Sequence, residues 1–194
     1  KSGQMNAIIV ADAGPLIALA KIGHLNLLHQ MYGEVLIPPA ILKELAIDTH
    51  KPGSALLKTA LSDGWLRVIE IPLSKDTSLL ELLLDAGEVE AILLAEKLKC
   101  HFLLIDERKG RVVAKKRGIP IVGVCGILLL AKEQGFISLV VPLLNQLLNI
   151  GYRLSSQLIL EVTNLAPEFF ESINPFKAAR FSKNVQHVSH HHLT

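Results

Sequence analysis

Cysteine, aromatic residues and an excess of either charge are all scarce in this sequence. Its 194 residues include two cysteines, Cys100 and Cys125, and only 5% are aromatic. Two cysteines without CxxC spacing argue against a disulfide framework or a thiolate zinc site and are typical of core residues in a cytosolic protein. The formal net charge of +2 is too small to indicate nucleic-acid binding, so any such binding depends on a local patch.

Long hydrophobic runs are also missing, although 50% of the residues are hydrophobic. The longest candidate, residues 121–131, contains two glycines and is bounded by Pro120 and Lys132. It falls well short of the ~20 apolar residues that a membrane-spanning helix needs. Without a signal-peptide pattern before the first strand, we expect a cytoplasmic protein with no membrane partner. The hydrophobic surplus is better explained by a parallel sheet covered on both faces.

Several common active-site motifs are absent. The first predicted strand is followed by "ADAGPLIAL" instead of GxGxxG, and "GVCG" after the fifth strand is a weak substitute. No GxxxxGKS/T loop or GxSxG motif occurs, which argues against a P-loop NTPase and a serine hydrolase. A haloacid-type phosphatase would need a second aspartate where the chain has Gly14.

The sequence does contain a regular alternation of short apolar runs and helical periodicity. This alternation predicts an α/β fold, with a mostly parallel sheet and helices on both faces. The predicted strands span residues 7–11, 34–37, 66–71, 102–105 and 119–122. The predicted helices between them span residues 16–32, 39–46, 54–62, 77–84, 88–99 and 109–117.

The pattern after residue 126 is helical. It predicts helices at residues 127–134, 140–151 and 155–165, with Ser155 or Ser156 as the N-cap of the last. We expect residues 5–137 to form the α/β domain and residues 138–166 to form a helical hairpin packed on it. Residues 167–194 are predicted to be a mobile tail.

Acidic residues follow two of the predicted strands. Asp12 ends the first strand, and Asp106 ends the fourth in "FLLIDERKG". Ligands of parallel α/β sheets bind beyond the carboxyl ends of the strands, which makes both residues site candidates. Each could instead cap the following helix. Glu44, in "PPAILKEL", borders the apolar stripe of its predicted helix, a position that permits an inward carboxylate.

Three more acids lie in "DAGEVEAILLAEKL". Glu88 heads the face that carries the small residues Ala91 and Ala95, which we expect to pack on the sheet. Glu90 lies on another side and is the weaker candidate, and Asp85 could contribute from the preceding loop. A first-turn glutamate that interacts with the helix dipole is the alternative interpretation of Glu88.

A divalent cation would offset the repulsion if Asp12, Glu44, Glu88 and Asp106 converge. Hard oxygen ligands favour Mg²⁺ or Mn²⁺, and the lack of clustered histidine and cysteine argues against zinc. Such an ion can activate water against a phosphodiester.

Basic residues follow the fourth of these acids. Arg108, Arg111 and Lys115 fall on one side of a predicted helix and could contact substrate phosphates. A solvated basic helix face is the alternative.

These residues, in this order, resemble the PIN domain family of metal-dependent ribonucleases, in its DUF3368 branch, which is related to VapC-type toxins. The resemblance rests on "IIVADAGPLIALAKIGHL", "VLIPPAILKEL", "DAGEVEAILLAEKL" and "FLLIDERKGRVVAKKRGIPIVGVCGILLLAKEQG". It implies a three-layer sandwich with a five-stranded parallel sheet of order 3-2-1-4-5 and a C-terminal helical appendage. It also implies that Asp12, Glu44, Glu88 and Asp106 are the four site acids, which hold Mg²⁺ or Mn²⁺.

The resemblance further implies an endoribonuclease that hydrolyses RNA phosphodiester bonds as a homodimer, and for toxin members a small antitoxin protein. The third acid of toxin-like relatives directly precedes an alanine, which would select Glu90, whereas the "GE" pattern of this branch selects Glu88. Arg111 matches a recurrent basic position. Gly14 replaces the serine or threonine of many PIN domains. The competing interpretation is a catalytically inactive PIN-like module that binds nucleic acid or protein.

Overall fold

Five short strands form one parallel sheet in the part of the chain that the structure describes. This structure is a computed structural model that describes residues 7–71 and 75–165. Every strand pairing is parallel, and the strand order is β3-β2-β1-β4-β5, which confirms the predicted fold class. The strands are β1 (Ile9–Ala11), β2 (Val35–Ile37), β3 (Leu66–Val68), β4 (Phe102–Leu104) and β5 (Ile121–Val122).

Ten helices in the described residues flank this sheet. They are α1 (Ala13–Lys21), α2 (Asn26–Tyr32), α3 (Pro39–Leu45), α4 (Ser54–Ser62), α5 (Lys75–Leu80), α6 (Ala86–Leu98), α7 (Arg108–Lys116), α8 (Val124–Glu133), α9 (Val141–Asn149) and α10 (Ser156–Leu165). None of them is long and apolar enough to cross a membrane.

The central strand β1 is covered on both faces. Its three residues are 0% exposed, which explains why the strand is an uninterrupted apolar run instead of an alternating one. At the edge of the sheet, β3 exposes Arg67 and Val68. The carboxyl ends of β1 and β4, the two strands followed by candidate acids, lie side by side because Ala11 pairs with Leu104.

The single helix predicted for residues 16–32 is wrong, because α1 and α2 are separate helices. Gly23 has a φ of +73°, a left-handed conformation that ends a helix and that glycine adopts without strain. The N–H of His24 donates to the carbonyl of Leu19 at 2.8 Å and closes the turn. Other bounds also differ: the helix predicted to start at residue 127 begins at Val124, and the strand predicted over 66–71 ends at Val68.

The two C-terminal helices bury apolar residues against the rest of the chain. Helix α9 buries Leu143, Leu144 and Leu147, and α10 contacts α8 and buries Val162. Ser155 is the N-cap of α10, because its Oγ accepts a hydrogen bond from the N–H of Leu158 at 3.1 Å. The predicted division at residues 137 and 166 stays a prediction, and the predicted tail at 167–194 lies outside the described residues.

Candidate functional site

Asp12 lies between the carboxyl end of β1 and the first turn of α1. Its N–H donates to the carbonyl of Leu104 at 2.9 Å, which fixes its backbone against β4. Its side chain is buried, with 7% exposure. Burial, together with the charge of Glu44, raises the pKa of Asp12 to about 7, although the N–H groups of Ala13 and Gly14 face the carboxylate and partly offset the rise.

Glu88 is buried at the start of α6 and is held there by a capping box with Asp85. The carboxylate of Asp85 accepts a hydrogen bond from the N–H of Glu88 at 2.8 Å, and Glu88 Oε2 accepts one from the N–H of Asp85 at 3.3 Å. Within the described residues, Glu88 Oε1 is buried without a hydrogen-bond partner. Burial and the neighbouring charge of Asp85 raise the pKa of Glu88 to about 7.

Glu44 lies on α3, and its carboxylate reaches the first turn of α6. The residue as a whole is exposed, yet a Cβ added at Gly87 would overlap its Oε1. Partial burial and the charges of Asp85 and Glu88 raise the pKa of Glu44. Its carboxylate therefore faces the other acids, not open solvent alone.

Asp106 follows β4, and two hydrogen-bond donors hold one of its oxygens. Its Oδ2 accepts the N–H of Val124 at 2.9 Å and the hydroxyl of Tyr152 at 2.6 Å. Val124 is the first residue of α8, so the carboxylate lies where the helix dipole favours a negative charge. Tyr152 lies in the short link between α9 and α10, and no sequence motif marked it as a site residue.

These acids share one neighbourhood at the carboxyl edge of the sheet. The charge of Glu44 acts on Asp12, and the charge of Asp12 acts on Glu88. Asp106 and Asp12 together raise the pKa of the Tyr152 hydroxyl, with burial as the largest cause. Among the described residues, however, no three acidic, histidine or cysteine side chains converge closely enough to hold a metal ion.

Glycines make room for three of the four carboxylates. At each of these glycines, an added Cβ would overlap or crowd the carboxylate next to it, so any other residue would force that carboxylate to shift from its observed position. The sequence did not predict this role, because each glycine faces a carboxylate from a different part of the chain. The pairs are Gly87 with Glu44, Gly110 with Glu88, and Gly123 with Asp106.

Glu88 and Glu90, the two candidates for the third site acid, have different contacts in the structure. The Oε2 of Glu90 accepts the N–H of Ala40 at 2.9 Å, in the first turn of α3. Glu90 therefore joins α6 to α3, and its charge also acts on Glu44; Glu88 is buried, and the charge of Asp12 acts on it. Of these two glutamates, Glu88 is the buried one and has an oxygen without a hydrogen-bond partner in the described residues, whereas the described oxygen of Glu90 is held by Ala40.

A basic groove of about 870 Å³ begins at Asp106 and runs between α7, α8 and α10. Arg108, Arg111 and Lys115 all line it, as does Arg153, which no sequence motif marked. Most of the remaining lining residues are apolar, and Glu161 is also among them. Arg111 is anchored, because its guanidinium donates to the carbonyl of Ile105 at 2.8 Å. Four cationic side chains thus line the same groove as one of the four acids.

The fold and the site together define an α/β protein with a carboxylate cluster at the edge of a parallel sheet and basic residues beside it. A sequence model of the DUF3368 family, described as a PIN domain, matches residues 8–168. The chain therefore belongs to this PIN domain family. PIN domains generally are metal-dependent nucleases.

Comparisons with individual proteins give weaker similarities than the family model does. No curated protein matches the chain. Among solved structures, it is similar to a PilT N-terminus domain protein from the hyperthermophilic archaeon Sulfolobus solfataricus P2. That similarity has 16% identity and a TM-score of 0.42 and covers 62% of this chain and 90% of the other.

The acidic neighbourhood fits a hard divalent cation by its donor chemistry. PIN domains typically use divalent metals, and the four acids offer the carboxylate oxygens that Mg²⁺ and Mn²⁺ prefer. The buried, unpartnered Oε1 of Glu88 would gain a partner from a bound cation. Burial is the largest cause of the raised pKa values of Asp12 and Glu88, and the charges of neighbouring acids add to it; a bound cation would favour the charged form of both carboxylates.

Proposed function

We propose that the protein is a Mg²⁺- or Mn²⁺-dependent endoribonuclease with Asp12, Glu44, Glu88 and Asp106 as its catalytic and metal-binding acids. The observation that carries the proposal is that buried, mutually repelling carboxylates lie together beside a basic groove in a PIN domain. When bound, a divalent cation neutralises charge on the phosphodiester and lowers the pKa of a water molecule.

The surrounding residues hold these acids in place. Asp85 fixes Glu88 through the capping box, and Glu90 fixes α3, which carries Glu44. The N–H of Gly14 faces Asp12, so the backbone supplies a donor at the position where many PIN domains have serine or threonine.

The basic groove binds the RNA backbone in this proposal. Arg108, Arg111, Lys115 and Arg153 would contact phosphates on the path that leads to Asp106. A homodimer, a small antitoxin partner and a toxin role belong to the same proposal and rest on the resemblance to the family. A cytoplasmic location also belongs to it and rests on the two unpaired cysteines.

The deciding experiment incubates the purified protein with mixed RNAs, with Mn²⁺ or with EDTA, beside an Asp106→Asn variant. We expect RNA cleavage that requires Mn²⁺, stops with EDTA and is lost in the variant. RNA or protein binding that ignores EDTA, without cleavage by any sample, would instead indicate a catalytically inactive binding module.

A Lys115→Ala variant should raise the KM for RNA several-fold and leave kcat nearly unchanged. Each lost phosphate contact should also reduce the slope of log affinity against log salt by about 0.7 to 1. Lys116 is the matched control, since it is the next residue, is exposed and does not line the groove. Equal effects of the two alanine substitutions on KM would contradict the placement of RNA in this groove.

A Gly87→Ala variant should keep the fold and lose cleavage. The added methyl group would overlap the end of the exposed Glu44 side chain, which can move, and would crowd the terminal methyl group of the buried Ile41, which must shift slightly. Alanine is favoured over glycine in a helix by about 1 kcal/mol, which offsets part of that cost. We therefore expect an unfolding temperature close to that of wild type and at least a tenfold loss of Mn²⁺-dependent cleavage.

Gly14→Ala is the matched control for this substitution. Gly14 occupies the second position of α1, as Gly87 does in α6, and its added Cβ would lie an ordinary 3.7 Å from Asp12 Oδ2. Its cleavage should stay within a few-fold of wild type. Full activity in the Gly87→Ala protein would show that Glu44 need not lie against α6.

A further inference from the structure

Tyr152 connects the C-terminal helices to the acid that follows β4. Its hydroxyl donates to Asp106 Oδ2 at 2.6 Å, across a separation of 46 residues in the sequence. The side chain is half-buried, and it lies in the link between α9 and α10 that also brings Arg153 to the basic groove. Tyr152 is therefore a contact of the acidic site that comes from outside the five-stranded α/β unit.

The two oxygens of Asp106 have different surroundings. Oδ2 already accepts two hydrogen bonds, one from Tyr152 and one from the N–H of Val124 at 2.9 Å. Oδ1 lies against Gly123, where an added Cβ would overlap it. Because a carboxylate with one oxygen held by two donors cannot rotate freely, the direction of Oδ1 is fixed as well.

The backbone of Tyr152 has a structural role that does not depend on the hydroxyl of its side chain. The N–H of Tyr152 donates to the carbonyl of Leu147 at 2.9 Å and closes the end of α9. This bond does not involve the side chain, so the link keeps its course when the hydroxyl is removed. The hydroxyl can therefore be tested without rebuilding the loop.

We propose that Tyr152 is a positioning residue, whose hydroxyl holds Asp106 so that Oδ1 alone is presented to a divalent cation. This proposal rests on the proposed function, because it assumes that Asp106 binds the ion. Hydrogen bonds to metal-binding carboxylates orient the ligand, and their loss weakens metal affinity by about 10- to 100-fold. The C-terminal helices thus complete the metal site of the α/β domain.

The test measures Mn²⁺ binding to the whole chain by calorimetry, for wild type and Tyr152→Phe. We expect about tenfold weaker binding in the variant, at the low end of such losses, because Val124 still holds Oδ2. Tyr32→Phe is the matched control, since Tyr32 is the only other tyrosine and its ring packs edge-on against Phe102 at 5.2 Å. Its Mn²⁺ affinity should equal that of wild type.

A double-mutant cycle with Asp106→Asn separates positioning from a structural role. If Tyr152 acts through Asp106, adding Tyr152→Phe to Asp106→Asn should weaken Mn²⁺ binding no further. An equal loss in both backgrounds, or a Tyr152→Phe protein with a lower unfolding temperature but unchanged Mn²⁺ affinity, overturns the positioning role.

The same titrations distinguish this proposal from the proposed function. Wild-type protein that binds Mn²⁺ and cleaves RNA, beside a Tyr152→Phe protein that binds Mn²⁺ equally well, overturns only the role of Tyr152. Wild-type protein that neither binds Mn²⁺ nor cleaves RNA overturns both.

Discussion

An Asp12→Asn protein should lose Mn²⁺-dependent RNA cleavage by about 10³-fold, the effect typical of removing one charged group that stabilises a transition state. The same protein should be more stable than wild type at pH 8 without metal. The substitution removes a buried negative charge, with 7% exposure, and its repulsion with Glu44 and Asp85. Asparagine keeps an acceptor for the N–H groups of Ala13 and Gly14 and is itself a favourable N-cap.

Cleavage assays and thermal unfolding in EDTA measure the two halves of this prediction. The gain in the free energy of unfolding should be on the order of 1–3 kcal/mol, which raises the unfolding temperature by roughly 2–10 °C in a protein of this size. Asp63→Asn, at the exposed end of α4, is the control and should change neither property. An Asp12→Asn protein that is less stable than wild type at pH 8, or that cleaves RNA normally, contradicts this account of Asp12.

Metal-free wild-type protein should become less stable as the pH rises from about 4 to above 7. The pKa of Asp12 rises from 3.8 unfolded to about 7 folded, and that of Glu88 rises from 4.5 to about 7. Between these values the folded chain keeps protons that the unfolded chain releases. These bound protons therefore stabilise the folded state fully below about pH 4, and their contribution is lost as the pH rises through 7.

The loss of stability should be on the order of 2–4 kcal/mol, and it should appear as a lower unfolding temperature at pH 8 than at pH 5 in EDTA. Mn²⁺ at about 100 times its Kd should recover about 2.7 kcal/mol at pH 8. Recovery should be smaller at pH 5, where the acids hold protons that compete with the ion. In Asp12→Asn the difference between the two pH values should shrink, whereas an unfolding temperature that increases with pH in EDTA contradicts the raised pKa values.

Local patterns were sufficient to predict much of the fold and part of the site. The uninterrupted apolar run of β1 indicated a strand covered on both faces, and its residues are fully buried. The small residues on one side of α6 placed Glu88 at the head of a buried face, where it lies. These predictions succeed because strand and helix periodicity directly records which side of an element is buried.

The remaining features depend on contacts between distant parts of the chain. The bond of Glu90 to Ala40 joins two helices that are distant in the sequence, and the hydrogen bond of Tyr152 to Asp106 spans 46 residues. The break at Gly23 was missed because an isolated glycine lowers helix propensity by only about 1 kcal/mol, too little to mark a helix end by itself.

Anomalous diffraction at the manganese edge, from crystals soaked in Mn²⁺ at pH 8, tests the central claim most directly. The account predicts manganese within about 2.5 Å of carboxylate oxygens from Asp12, Glu88 and Asp106, with Oδ1 as the oxygen used by Asp106 and Glu44 beside it. Crystals that show no manganese among these residues at saturating Mn²⁺, with the four acids ordered, would contradict it.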